Sequence, residues 1–396
     1  MRKKVFTAVA VLIIIALQLM AGGAMRGGRF SFTLYDGEIP VLQKEYPISF
    51  ALKVRVAVLY KGDYLRYYQS LASKKDALYL INEELGKDAE KAAKALEYPP
   101  EAATVEWDKN KFTYHDGKDG VAINREILAR DVFASFSKSF SVKLKKEALS
   151  PSPSKQELID ATAKLSSYTT YYSSSSRERK HNIALAARRI NGTVIAPNDI
   201  FSFNQTVGAR TKENGFLTAK IIERGKFVDG VGGGVCQAST TIYNAALLAG
   251  VKIVRAEAHS LPVSYAPLSF DAMVSSHSDL VFTNETAYNY YISAVTNNDS
   301  ATFTFYGVNT FGDAKPRLKS ITLRSIPSSD YEIIEDDSLV PPGSGEHIIK
   351  EPKSGYISEG YIELYLDGKL INSERIRKDR YLPQKGIKAI RKTSAA

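Results

Sequence analysis

The chain has 396 residues, 44% hydrophobic and 24% charged, with a mean hydropathy of -0.20. These values exclude a disordered chain and a polytopic membrane protein, and the length predicts two to three domains with a sizeable buried core. A single cysteine, Cys236, excludes an intramolecular disulfide and a structural zinc site of the four-cysteine or two-cysteine-two-histidine type.

The net charge of +10 is concentrated at the two ends. Arg2, Lys3, Lys4, Arg26 and Arg29 make residues 1–30 basic. Residues 374–396 carry Arg375, Arg377, Lys378, Arg380, Lys385, Lys388, Arg391 and Lys392 against Glu374 and Asp379, and the body between is close to neutral. Such a body lacks the concentrated basic face that a phosphate backbone needs, so no nucleic-acid partner is expected.

After Arg2-Lys3-Lys4, residues 5–24 are uncharged, with Thr7 and Gln18 the main polar interruptions. As a helix they measure roughly 30 Å, enough to cross a hydrocarbon core, and the cationic start orients the remainder outward. Residues 1–29 therefore read as a cytoplasmic start and transmembrane anchor, with a cleavable signal segment ending near Gly22-Gly23-Ala24 as the alternative. Either reading exports the bulk of the chain. In an oxidising compartment an unpaired thiol is a liability unless it is buried or used.

Farther along, the β-branched and aromatic run 46–60 predicts a strand, and 68–97 has helical spacing with alternating charges. Trp107 to Tyr114 reads as a strand, followed by a His115-Asp116-Gly117 turn. Ile123 to Phe136 reads as an amphipathic helix with Ile127, Leu128, Val132 and Phe133 on one face. Ser150-Pro151-Ser152-Pro153-Ser154 marks a linker within 148–165, and the polar, aromatic stretch 167–176 reads as an extended connection.

The densest information lies in 230–250, GVGGGVCQASTTIYNAALLAG. Its glycines permit tight turns and close approach to a ligand, and the following residues form a helix that Gly250 ends. Cys236 then falls in the first helical turn, where the macrodipole and free N–H groups favour a thiolate and can stabilise an oxyanion. Gly232, Gly233, Gly234, Gln237, Ser239, Thr240, Tyr243 and Asn244 surround it as candidate substrate-binding residues.

A strand at Val251 to Ala256 leads to His259, and an extended piece through Pro262-Val263-Ser264-Tyr265 leads to Asp271. The order suits Cys236 as nucleophile, His259 as base and Asp271 as orienter, with His277 and Asp279 in reserve. By order and spacing it is similar to papain-like and transglutaminase-like thiol enzymes. The competing reading is a buried structural cysteine beside a turn. His181, His259 and His277 show neither HxH nor HxxxH spacing, so no metal or other cofactor is expected.

Residues 166–305 resemble the VanW family. The resemblance is carried by Asn182-Ile183, Ile190-Asn191-Gly192, Phe201-Ser202-Phe203-Asn204, Val207-Gly208 with Arg210, and Gly215. It continues through Gly232 to Gln237, Ser239-Thr240-Thr241, Tyr243-Asn244-Ala245, His259-Ser260, Asp271-Ala272 with Val274, and Asp279-Leu280 with Phe282 and Asn284. Asn198 and Ser269 stand where the family commonly has glycine, and both are turn positions.

The resemblance implies a bacterial cell-envelope protein and no settled activity. Residues 45–147, through FTYHDGKDGVAINREILARDVFASF, resemble the YoaR-like peptidoglycan-binding module that often precedes it. Residues 320–392 are strand-rich at Ile321 to Leu323, Tyr331 to Ile334, His347 to Lys350 and Tyr361 to Tyr365. With Ile326-Pro327, Pro342-Gly343, Gly355, Gly368 and Pro383 in order, they resemble the five-glycine domain associated with cell-wall sugars, followed by a basic tail.

The expectation is therefore an exported, multi-domain α+β protein: an N-terminal transmembrane helix, an α+β binding module, an α+β VanW core and a β-rich C-terminal module. Two functions follow. One is a membrane-anchored peptidoglycan-binding accessory factor, its partner peptidoglycan or another wall polymer. The other is a thiol-dependent peptidoglycan peptide hydrolase or acyltransferase.

Overall fold

The structure is a computed structural model that describes residues 29–47, 83–109, 111–135, 140–223 and 226–391. Among these residues no helix is long and apolar enough to cross a membrane. The anchor expected at 5–24 lies outside the described residues, as do 48–60 of the expected strand and 68–82 of the expected helices. The described residues form a mixed, β-rich α+β structure that divides into two units.

The first unit takes in residues up to 104 and 115–155. Strands β1 (Arg29–Asp36) and β2 (Ile39–Pro47) form an antiparallel hairpin, which the sequence reading did not anticipate. Phe32 and Leu34 alternate inward from β1 and are fully buried, as a strand period of two requires. Helix α1 (Glu83–Leu96) buries Leu85, Ala89 and Ala93, one residue per turn on one face.

After the hairpin β3 (Thr104–Trp107) and β4 (Phe112–His115), the chain returns to this unit as β5 (Gly120–Ile123) and helix α2 (Arg125–Ser135). Asn124 caps α2, its Oδ1 accepting from Glu126 N at 2.9 Å and Ile127 N at 3.2 Å. Leu128, Ala129 and Val132 are buried against β1 residues Phe32 and Leu34. Strand β6 (Ser141–Lys143) pairs parallel to β1, and β7 (Lys146–Leu149) antiparallel to β5.

The single strand expected over Trp107 to Tyr114 is instead the β3–β4 hairpin. Lys109 turns the chain at φ 54, and Asp108 N donates to Lys111 O at 3.0 Å. Trp107 stacks on Phe112 at 4.4 Å, and both rings pack against Tyr291 and Tyr306 of the second unit, to which residues 105–114 belong. The division falls after Lys155, at the start of the short helix α3 (Lys155–Asp160), within the expected linker.

The second unit has a four-stranded sheet, in the order β8 (Ala163–Tyr171), β16 (Ser300–Gly307), β15 (Tyr290–Thr296), β9 (Val194–Ile195). Residues 167–171, expected as a connection, belong to its edge strand. Their polarity misled because the inward positions are used for hydrogen bonds to a buried helix. Ser166 Oγ donates to Ala245 O at 2.6 Å, and Thr170 Oγ1 lies 2.8 Å from Thr241 Oγ1. The outward Thr169 pairs with Thr302 across strands at 2.8 Å.

That helix, α6 (Val235–Leu248), is buried on almost every side, which explains its Ala, Ser and Thr content and its lack of a polar face. Helix α4 (Arg177–Ile190), capped by Ser176, packs beside it through Ile183, Ala186, Ala187 and Ile190. The short α5 (Phe203–Val207) follows β10 (Ile200–Ser202), which pairs with β14 (Val281–Thr283) next to β13 (Lys252–Arg255).

Strands β11 (Thr218–Glu223) and β12 (Lys226–Val231) form the hairpin that enters the glycine run. Gly232 and Gly234 adopt φ of 86 and 104. A Cβ on Gly233 would sit 2.6 Å from Lys220 O, so only glycine fits. Asn198 and Ser269 have φ of 66 and 65, the backbone expected where glycine is usual.

The C-terminal part of this unit is two three-stranded sheets. One is β17 (Lys315–Ile326), β20 (Gly355–Leu366) and β21 (Lys369–Tyr381), all antiparallel. The other sets β22 (Gly386–Ile390) between β18 (Tyr331–Glu335), parallel to it, and β19 (Glu346–Lys350), antiparallel to it. Most of the expected basic tail is therefore strand.

Asn182 ties the glycine run to α4. It is fully buried; its Nδ2 donates to Leu217 O and Gly233 O at 2.9 Å each, and its Oδ1 accepts from Leu217 N at 2.8 Å. Asn182→Ala leaves three backbone groups without these partners, so the second unit should lose about 2–4 kcal/mol. Urea unfolding followed by the fluorescence of the sole tryptophan, Trp107, reads this directly. A loss below about 0.5 kcal/mol would mean that the staple is dispensable.

Candidate functional site

Cys236 is the second residue of α6, whose N-cap is the left-handed Gly234, so the helix dipole points its positive end at the sulfur. The thiol is half-buried and faces a cleft of ≈1340 Å³. Its Sγ lies 3.3 Å from Val274 O, to which the neutral thiol donates.

The segment between β13 and β14 has no regular structure, and its path is set by side chains of α6. Ala272 N donates to Thr240 Oγ1 at 2.9 Å, and Asn244 Nδ2 donates to Phe270 O at 2.8 Å. These two bonds bracket Asp271 and hold its carboxylate in the interior, fully buried. Met273 N bonds Glu257 O at 2.7 Å, which closes the loop and brings His259 back over Asp271.

Asp271 Oδ2 accepts from His259 N at 2.7 Å and from His259 Nδ1 at 2.6 Å. This bond places the ring proton on Nδ1 and leaves Nε2 for the thiol. Burial works against a charged imidazole, but the Asp271 bond and the interaction with Cys236 outweigh it and raise the His259 pKa to about 9. Burial likewise works against a thiolate. The hydrogen bond and charge of His259, with the Arg210 guanidinium beyond, nevertheless bring the Cys236 pKa below its ordinary value. Burial pushes the Asp271 carboxyl up, and His259 and Arg377 hold it below the usual carboxylate range. The pair therefore favours thiolate and imidazolium, and its protons belong to both groups together.

The second oxygen of Asp271 is held from β21. Tyr381 Oη donates to Oδ1 at 2.6 Å and Arg377 Nη2 at 3.2 Å. Tyr381 Oη also accepts from Ser269 N at 2.7 Å. Arg377 stacks over the buried Tyr243 ring at 5.4 Å and pairs with Asp379 at 2.8 Å. Sequence reading missed Tyr381 and Arg377, which lie over a hundred residues from Asp271 in what it took for a domain end with a basic tail. It also missed Tyr265, which lines the cleft near Cys236 and stays protonated because burial raises its pKa well above the ordinary value.

The structure brings Cys236, His259 and Asp271 together in a connected line. Gly232, Gly233, Gly234 and Gln237 border the cleft. Gln237 is held from within, donating to Thr170 Oγ1 at 3.0 Å and Tyr171 O at 2.9 Å. Ser239, Thr240, Tyr243 and Asn244, expected to contact substrate, are buried and do not line the cleft. The physical reason is that α6 is enclosed, so Thr240 and Asn244 turn to the loop that carries Asp271, Tyr243 to Arg377 of β21, and Ser239 Oγ is buried without a hydrogen-bond partner. Of the reserve candidates, Asp279 accepts from Ser202 Oγ and Asn204 N at the start of α5, and His277 is exposed. Among the described residues no cluster of His, Cys, Asp or Glu is arranged to hold a metal ion.

The pH dependence has a definite sign. Iodoacetamide labelling of Cys236 in the full-length chain should follow an apparent pKa below the ordinary thiol value of about 8.5. His259→Ala removes the two leading causes that lower the thiol pKa and leaves burial, which raises it. Labelling at pH 7 should then slow by about tenfold or more, since one pKa unit is tenfold in thiolate. Superimposable pH profiles for the two proteins would show that the imidazole does not activate the thiol.

Comparison with known proteins covers parts of the chain. The VanW like protein family model matches residues 178–306, about a third of the sequence. The chain is 47% identical over 115 residues to the uncharacterized protein YoaR of Bacillus subtilis (strain 168), which is 29% of this chain and 38% of that protein. It thus spans well under two thirds of that relative's length. Among solved structures, the crystal structure of HP0197-G5 is similar at 20% identity and a TM-score of 0.12, covering 20% of this chain and 99% of that one. The IgA1 protease G5 domain structure is similar at 18% identity and a TM-score of 0.14, covering 20% and 92%. Cys236, His259 and Asp271 all lie within the segment that matches the VanW like protein family model.

Proposed function

We propose that the chain is an extracytoplasmic cell-envelope protein in which a Cys236–His259–Asp271 centre carries out acyl transfer on peptides of the bacterial wall. The observation that carries this reading is the continuous line from a cleft-facing thiol at a helix start, through imidazole, to a buried carboxylate. The envelope setting is supported by the VanW-like domain and by the exported character of residues 1–29, retained as an anchor through 5–24 or cleaved. The likeness of 45–147 and 320–392 to wall-binding modules supports peptidoglycan or a related polymer as the partner.

In this reading the Cys236 thiolate attacks the amide carbonyl carbon, forming an S–C bond. The C–N bond then breaks, and the leaving amine takes the proton held on His259 Nε2. Water or a second amine, deprotonated by His259, attacks the thioester. It releases a carboxylic acid or a new amide and restores the thiol. Asp271 stays ionised and keeps the imidazole oriented throughout. Tyr265 O–H and Cys236 N–H are the donors available to a developing oxyanion, since Val235 N and Gln237 N donate to Gly232 O and Gly234 O.

The test uses the full-length chain with purified peptidoglycan, following released or exchanged peptides by mass spectrometry. Cys236→Ser should lower turnover by roughly 10⁴-fold or more while leaving sedimentation with peptidoglycan unchanged. Turnover that survives this substitution would defeat the thiol mechanism. Binding without any turnover in either protein would leave the accessory, non-catalytic reading as the better one.

A further inference from the structure

The cleft has a one-sided charge. Apart from the Cys236–His259 pair, the charged residues lining it are Arg179, Arg210, Lys220 and Lys353, and no Asp or Glu is among its lining. Lys220 is neutralised by Asp229 at 3.0 Å on the surface. Arg179 and Arg210 are not: among the described residues no carboxylate lies within ion-pair distance of either. Arg179 donates from Nη1 to Ser175 Oγ and from Nη2 to Gln237 Oε1, both at 2.7 Å, and its face lies 5.9 Å from the Tyr265 ring. Arg210 donates from Nη2 to Asn204 Oδ1, and its buried Nε has no partner. The nearest acid to influence Arg210 is Asp279, whose two oxygens accept from Ser202 and Asn204.

Both guanidinium groups are half-buried, held by neutral acceptors only, and close enough to Cys236 for its charge to be felt at each. Burial opposes their charge and pulls both pKa values down. A half-buried cation without a carboxylate partner is costly, and a guanidinium fork with free donors matches a carboxylate in shape and charge. The cost falls when an anion enters.

We propose that Arg210, with Arg179 beside it, binds a carboxylate of the substrate next to Cys236. The thiol centre, on which this inference rests, then acts on peptides bearing a free carboxylate close to the reacting carbonyl. That carboxylate is either the C-terminal α-carboxylate or an acidic side chain.

The sole cysteine permits a test that needs no substrate. Iodoacetate and iodoacetamide alkylate the same thiolate by the same displacement of iodide and differ in one carboxylate. Their rate ratio therefore cancels any change in the thiol pKa. In the folded full-length chain the iodoacetate-to-iodoacetamide ratio should exceed that of the urea-unfolded chain by about tenfold or more, with iodoacetate saturating. Arg210→Gln should return the ratio to the unfolded value while keeping the Trp107 emission of the folded wild type, which shows that the variant is folded. Arg210→Lys, which keeps the charge without the fork, should fall between.

A ratio in the folded wild type equal to that of the unfolded chain, or unchanged in Arg210→Gln, would overturn the carboxylate site and leave the thiol centre standing. Silence of the folded protein toward both reagents would overturn the thiol centre and this inference with it. The source of the carboxylate is read by protection against iodoacetate, with N-acetyl-alanyl-alanine as free acid, as C-terminal amide, and N-acetyl-alanyl-glutamate amidated at its α-carboxyl only. Protection by the free acid alone assigns an α-carboxylate, and protection by the glutamyl peptide assigns a side chain. Equal protection by the dialanine amide would count against any carboxylate site.

Discussion

The buried carboxylate of Asp271 is the constraint on which the second unit depends. A charge withdrawn from water is tolerated only where donors replace the lost hydration, and Asp271 has four: His259 N, His259 Nδ1, Tyr381 Oη and Arg377 Nη2. They come from two segments far apart in sequence, the loop after β13 and the long strand β21. Each bond therefore orders two pieces of chain at once. The same contacts fix the imidazole tautomer, so a requirement of stability and a requirement of chemistry are met by one arrangement.

Helix α6 supplies the second half of that arrangement. Being enclosed, it cannot leave Thr240 and Asn244 to water, and both are used on the backbone on either side of Asp271. Ser269 then adopts a left-handed backbone at the point where β20 passes closely, and a Cβ on Gly360 would approach Ser269 O to 2.9 Å. Ser269 Oγ and Ser358 Oγ meet at 2.7 Å across this contact. The C-terminal sheets are thus part of the site's framework, since their close approach lets Tyr381 and Arg377 reach the carboxylate.

The face of the site open to the cleft has the opposite character. The acid that orients His259 is hidden, and the charged groups that line the opening are basic. A thiolate formed there is stabilised by the imidazolium and by Arg210, and an entering anion meets cations that lack a carboxylate of their own. Placing Asp271 behind the imidazole keeps its charge from repelling such a ligand while still serving the base.

Much of this was legible in the sequence. The glycine run, the helix after it, the first-turn position of Cys236 and the order Cys236, His259, Asp271 follow from turn chemistry and spacing. The positive φ values at Asn198 and Ser269 agree with the family resemblance, which commonly has glycine at those positions. Local sequence determines such features because they depend on what a few adjacent residues can do with their own backbone. Only the tertiary structure decided which polar residues of α6 face a ligand and which face the interior, because a helix buried all round carries no amphipathic stripe to read. It also decided that residues 374–381 form a strand reaching Asp271, and that the polar stretch 167–171 is a sheet edge. Those facts depend on pairings between residues a hundred or more positions apart, and no local pattern records which distant donor a buried carboxylate will find.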